Sequence, residues 1–136
     1  MAEPFSFELV SPEKLLLSDD VTMVVVPGAE GDFGVLVGHA PLISSLRPGV
    51  IDTYNGDKVE KRIFVAGGFA EVTGVRCTVL AEEAVPVEDI DASAAEERIK
   101  AANEAISEAD KDTARNAAET ELAVAEAMLV AGRGNH

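Results

Sequence analysis

Tryptophan is absent, tyrosine occurs once and phenylalanine five times, so the chain carries few flat rings. Stacking of nucleobases or sugars calls for aromatic faces on an exposed surface, and this inventory scarcely provides them. Basic residues are scarce too: 11 Lys+Arg stand against 25 Asp+Glu, a formal net charge of −14. Such a surface repels a polyanion, which argues against nucleic acid as a partner. The single cysteine, Cys77, excludes a disulfide within the chain, and its place in the alternating run "VRCTVL" predicts burial as a small hydrophobe. No apolar run approaches the about 20 residues of a membrane span. The opening "MAEPFSFELV" has neither a basic n-region nor an apolar h-region. The expectation is a soluble, unexported chain with no direct membrane insertion.

Catalytic signatures are missing as well. His39 lacks a partner nucleophile, since neither a GxSxG elbow nor a reactive-cysteine motif appears, and the only other histidine, His136, is expected to fray at the terminus. Without HExxH, CxxC or a carboxylate–histidine pair at ligand spacing, no metal and no cofactor is expected. The acidic pairs Asp19-Asp20 and Glu82-Glu83 read as solvated turn or edge charges, because a glycosidase cleft would want aromatic platforms.

What the chain does have is a core-forming composition, 47% hydrophobic over 136 residues, enough for one domain or a small domain with an appendage. It divides into two halves. Residues 1–87 hold short β-like runs, "FSFELV", "VTMVVV", "GVLV", "VIDTY", "KRIFV", "FAEV" and "CTVLAEE", punctuated by Gly, Pro, Asn and Asp at the spacing of a sandwich or barrel. In "FSFELV" the alternation puts Phe5, Phe7 and Leu9 on one face. Asn55-Gly56 predicts a type I′ hairpin turn, and "VTGVRC" a second tight turn at Gly74.

Residues 88–136 switch to alanine, glutamate and a helical period. Asp91 or Ser93 can cap the first helix, Ser93 forming a capping box with Glu96. Ala95, Ile99, Ala102, Ile106 and Ala109 share one face; after a polar break, "SEADKDT", Ala118, Leu122, Ala125 and Leu129 form the matching stripe, with Gly132 as the stop. The pair predicts an antiparallel hairpin. An alanine seam removes little apolar area, each missing CH₂ forgoing roughly 0.8 kcal/mol, so the hairpin reads either as an element that can dock, undock or extend, or as a static appendage. The fold class is mainly β plus α, an antiparallel β-sandwich followed by a two-helix hairpin.

One stretch stands out: "PGAEGDFGVLVGHAPLISSLRPG", residues 27–49. Its Gly28, Gly31 and Gly34 are spaced GxxGxxG with no lysine and no long helix behind them, so they form turns rather than a phosphate cradle. Val35, Leu36, Leu42, Ile43 and Leu46 are apolar but interrupted by Gly38, Pro41 and Pro48. Several belong to a core; the remainder make an apolar, backbone-rich surface suited to binding another protein.

Three segments resemble the epsilon subunit family of F-type ATP synthases: "VVPGAEGDFGVLVGHAPLISSLRPGVI", "FVAGGFAEV" and "CTVLAEEAVPVEDID", with "FELVSPEKLLLSDDV" similar to the family's first strand and turn. The resemblance implies a flattened N-terminal sandwich with a C-terminal hairpin. It implies a non-catalytic rotor component of the central stalk at the cytoplasmic face of a bacterial inner membrane, binding gamma and the c-ring. By position, Ala29, Glu30, Gly31 and Asp32 resemble the family's foot on the polar loops of the c-ring, with Asp32, and Glu30 second, supplying carboxylates. His39, Ala40, Pro41 and Leu42 resemble the segment facing gamma.

Two departures follow. ATP-binding members resemble Ile/Leu-Asp-x-x-Arg-Ala; here Ile90 and Asp91 match but Ala94 replaces the arginine, so weak or absent ATP binding is expected. Inhibitory members carry a basic final helix, whereas "TARNAAETELAVAEAMLVAG" has one Arg and three Glu. Any transient contact of the helices with the catalytic alpha/beta head is then expected to inhibit weakly. The rival reading from the residues is a free-standing ligand-binding or regulatory sandwich with a dimerising hairpin, which would purify without gamma.

Overall fold

The computed structural model describes residues 3–134. The chain forms two compact units, one running to Pro86 and the other starting at Val87. Among the described residues no helix is long and apolar enough to cross a membrane.

The first unit contains strands β1 (Phe5–Val10), β2 (Leu15–Val21), β3 (Met23–Gly28), β4 (Gly31–Val35), β5 (Leu42–Ser45), β6 (Gly49–Asn55), β7 (Lys58–Ala66), β8 (Phe69–Val72), β9 (Arg76–Leu80) and β10 (Glu83–Pro86). They make two five-stranded sheets, ordered β2-β1-β9-β8-β5 and β10-β7-β6-β3-β4. Pairing is antiparallel except between β1 and β9. The core lies between the sheets: Phe5, Phe7 and Leu9 meet Val24, Val26, Val35, Ile51, Val65 and Val79 there, as the alternation in "FSFELV" predicts. Each large apolar side chain so buried contributes roughly 1.5–3 kcal/mol. Thr53 is a buried polar residue, and its hydroxyl accepts the Lys61 N–H at 3.1 Å, which offsets the cost of its burial. Cys77 is fully buried opposite Phe7, and desolvation pushes its thiol up to about 12, so it stays neutral.

Four local expectations are corrected, the first being "GVLV": β4 ends at Val35, and Leu36 and Val37 lie in the turn that follows. "VTMVVV" is not one strand: it breaks at Thr22, where the chain leaves one sheet for the other. The Thr22 N–H donates to the Tyr54 carbonyl (2.9 Å) and its hydroxyl accepts the Gly56 N–H (2.9 Å), which holds the crossing in place. The β6–β7 turn sits one residue later than expected, on Gly56-Asp57, because Asn55 still pairs with Lys58. Only Gly56 has a positive φ (67°), the pattern of a type II′ rather than type I′ turn. "CTVLAEE" resolves into two strands, β9 and β10, that belong to different sheets. The turn at Gly74 is present, fastened by the Thr73 hydroxyl, which accepts the N–H groups of Val75 and Arg76.

The second unit begins with a 3₁₀ turn at Val87–Asp89, followed by α1 (Ala92–Glu108) and α2 (Asp112–Arg133). Asp91 caps α1: its Oδ1 accepts the N–H groups of Ser93 and Ala94 at 2.9 and 3.4 Å. Ser93 lies inside the helix, so the Ser93–Glu96 box does not form, and Glu96 instead accepts a 3.2 Å hydrogen bond from Arg133. The three-residue link, 109–111, returns α2 antiparallel to α1, and Arg98 reaches across to Glu121 at 2.7 Å. Ala95, Ala102, Ala118 and Ala125 are buried, confirming the alanine seam, but Val124, Met128 and Ala131 are buried too. Gly132 does not end α2. The helix continues to Arg133, and a side chain at 132 would bring its Cβ within 2.7 Å of Ile90 Cγ2, so glycine there serves close approach. His136 lies outside the described residues.

Candidate functional site

Residues 27–49 fold as a hairpin followed by an edge strand. The β3–β4 hairpin pairs Gly28 with Gly31, leaving Ala29 and Glu30 exposed at its tip and Asp32 at the start of β4. Glycine is required at its base: a Cβ on Gly28 would lie 2.8 Å from the Gly31 carbonyl oxygen, and Gly31 has φ +142°. The stretch is therefore a turn, with no helix N-terminus behind it.

Arg47 organises this tip, and sequence reasoning missed it. Its Nη2 pairs with Asp32 Oδ1, and its Nη1 donates to the Gly28 carbonyl at 2.6 Å. The backbone follows suit: Arg47 N–H donates to the Pro27 carbonyl (3.0 Å), and Ala29 N–H to the Ser45 carbonyl (2.8 Å). A signal was available, since Arg47 is the only basic residue in a segment that holds Glu30 and Asp32.

The segment after β4 presents a different chemistry. His39 closes a tight turn, its N–H donating to the Leu36 carbonyl (3.1 Å) and its Nδ1 lying 2.7 Å from the Ala40 carbonyl. That short contact fits the tautomer in which Nδ1 carries the proton. Ala40 and Pro41 lead into β5 at the edge of its sheet. Val35 and Leu46 belong to the core, whereas Leu36, Val37 and Leu42 are exposed and Ile43 is 68% exposed.

Beside this edge, the outer face of the same sheet carries an apolar row. Phe69 lies opposite Leu80, Leu80 opposite Val10, and Val10 opposite Leu15. Phe69 and Leu15 are 42% and 54% exposed. The next row reads Ile43, Glu71, Thr78 and Glu8, so the polarity changes within one strand spacing. Neither Phe69 nor Leu15 was singled out from sequence. Their alternation looks like that of any half-buried strand, and only register aligns them.

In the helical unit Ile90, Asp91 and Ala94 sit at the start of α1, with Asp91 committed to capping and methyl-bearing Ala94 offering no donor. Arg98 lies four residues on and is turned to Glu121 and to Met128 Sδ. Among the described residues no three His, Cys, Asp or Glu side chains converge to hold a metal ion. Of the acidic pairs, Asp19 accepts from Lys61 at 2.7 Å.

Fold and surface define a class: a two-sheet sandwich with an exposed apolar face and a charged hairpin tip, joined to an α-helical hairpin. The family model for the ATP synthase delta/epsilon chain, beta-sandwich domain, matches residues 4–87. The ATP synthase epsilon chain of Rhodospirillum rubrum is 55% identical over 134 residues, covering 98% of this chain and all of the relative. That of Paramagnetospirillum magneticum is 59% identical over 131 residues, covering 96% and 98%. The chain belongs to the ATP synthase epsilon chain family. The fold also matches a chain of the Euglena gracilis mitochondrial ATP synthase at a TM-score of 0.80 and 24% identity, covering 94% of this chain and 81% of that one. A chain in the central stalk/c-ring structure of the Tetrahymena thermophila mitochondrial enzyme matches at 0.72 and 14%, covering 96% and 98%.

Proposed function

We propose that this chain is a non-catalytic rotor subunit of the ATP synthase central stalk, passing c-ring rotation to the catalytic head at the cytoplasmic face of a bacterial inner membrane. Residues 1–87 attach the rotor, and residues 88–136 form a regulatory element of weak effect. The observation that carries the reading is the pairing, within residues 27–49, of an acidic hairpin tip with an exposed apolar edge. Ala29, Glu30, Gly31 and Asp32 meet basic groups on the polar loops of the c-ring. His39, Ala40, Pro41 and Leu42, extended by Ile43 and Phe69, meet gamma. The close-packed sandwich supplies stiffness, since a soft coupling would absorb torque as deformation.

The test is substitution at the tip in the complete enzyme. Asp32→Lys replaces an attractive carboxylate by a repulsive ammonium, so c-ring attachment and ATP-driven proton pumping should both fall, with gamma still bound. Unchanged pumping and co-purification of the c-ring would sink the assignment.

A further inference from the structure

Asp32 is not a free carboxylate. One oxygen is held by Arg47, and the same guanidinium holds the Gly28 carbonyl on the neighbouring strand. The residues around Arg47 are themselves fixed. Leu46 is buried, bridges Gly28 and donates its N–H to the Gly68 carbonyl at 3.1 Å, while Pro48 restricts the backbone on the other side. A fork with two aligned acceptors and a rigid base holds a geometry that a lone ammonium cannot.

We propose that Arg47 is the positioning residue of the β3–β4 hairpin, a latch that presets the Asp32 carboxylate and the Ala29-Glu30 tip for the basic loops they receive. The proposal rests on the c-ring reading. With one oxygen held by Arg47, the Asp32 side chain is still 60% exposed, and Glu30 is the other exposed acid of the tip. Fixing the hairpin beforehand removes the cost of ordering it on binding.

Charge and positioning predict opposite signs. Arg47 is a cation beside a site that receives cations, so on net charge alone its removal should tighten the contact. As a latch, its removal should loosen it. The measurement is the concentration of a purified complex of gamma with the full chain that half-saturates detergent-solubilised c-ring. Arg47→Ala and Arg47→Met, the second keeping the aliphatic stem, should each raise it about threefold to tenfold. Arg47→Lys keeps the charge and loses the fork, so it should fall between wild type and Arg47→Ala. Affinity for gamma and Tm should stay near wild type. If both neutral variants bind as well as or better than wild type while Asp32→Lys binds worse, the latch is wrong and the c-ring reading stands. If Asp32→Lys and Glu30→Lys also bind as wild type, the c-ring reading falls and the latch with it.

Discussion

The two units bury their apolar residues by different means. The sandwich places Phe7, Phe64, Ile51 and a set of valines entirely out of water, and its sheets are tied by long-range pairing. The helical unit buries five alanines, with Val87, Val124 and Met128 as its only larger buried side chains among the described residues, and exposed or half-exposed Arg–Glu pairs link its helices. A surface ion pair of that kind is worth under about 1 kcal/mol. Rigidity belongs to the part proposed to carry torque, and the part proposed to regulate is held by small, separable contributions. The expectation for a hairpin that opens is a free energy below that of unfolding the sandwich, whereas a static appendage would unfold with it.

The largest expected effect lies in the sandwich. Phe7→Ala should destabilise it by about 3–5 kcal/mol, measured by denaturant unfolding of the full chain. A loss no greater than that of a seam alanine changed to glycine would erase the contrast. In the hairpin, Gly132→Ala forces a methyl against Ile90 and should cost about 1–3 kcal/mol, seen as faster amide exchange in the helices and not in the strands. Equal exchange in both units would mean that they unfold together.

Removing residues 88–136 sharpens the comparison from the functional side. ATP hydrolysis by the complete enzyme should change little, because α2 between Thr113 and Gly132 carries one Arg and three Glu and is poorly suited to an acidic surface. A sharp rise would overturn that expectation. Titration calorimetry on the full chain should likewise give no tight ATP binding, since Ala94 lacks a side-chain donor and Asp91 is occupied by the helix cap.

A last effect is silent at neutral pH and is confined to the sandwich at alkaline pH. Burial pushes the Cys77 thiol from its ordinary range up to about 12. Its raised value means that the associated stability is complete below pH 9 and is lost as pH climbs toward 12, as the unfolded state releases a proton the folded state keeps. Cys77→Ala should flatten that part of the curve relative to wild type, whatever offset its smaller side chain introduces. Parallel curves would show that the thiol contributes no linkage.

Much of this was legible in the residues. Period-two and period-3.6 patterns separated the halves, and Asp91, the alanine seam and the turn glycines of residues 28–31 announced themselves by type and spacing. Strands β2 and β5 did not. "LLLSDDV" is too acidic at its end, and "LISS" too short, to register as strands before their partners are known. Gly132 looked like a stop because glycine commonly is one, while its actual constraint, Ile90, lies 42 residues away in sequence. The tip residues were legible and their latch was not, because the Arg47–Asp32 pair depends on where residues 45–47 return along β3. The Phe69–Leu80–Val10–Leu15 row was hidden for the same reason, being a product of register.

The parallel pairing of β1 with β9 has a consequence for how the protein is made. The middle of one sheet joins residues 6–10 to residues 76–80, so a ribosome must deliver nearly the whole sandwich before that sheet can close. Until then β1 can pair only with β2, and its other edge, the one β9 takes, stays open. A nascent chain halted before residue 76 would display that edge as a target for chaperones or for other unfinished chains, whereas the helices that follow need only near neighbours and can form as they emerge.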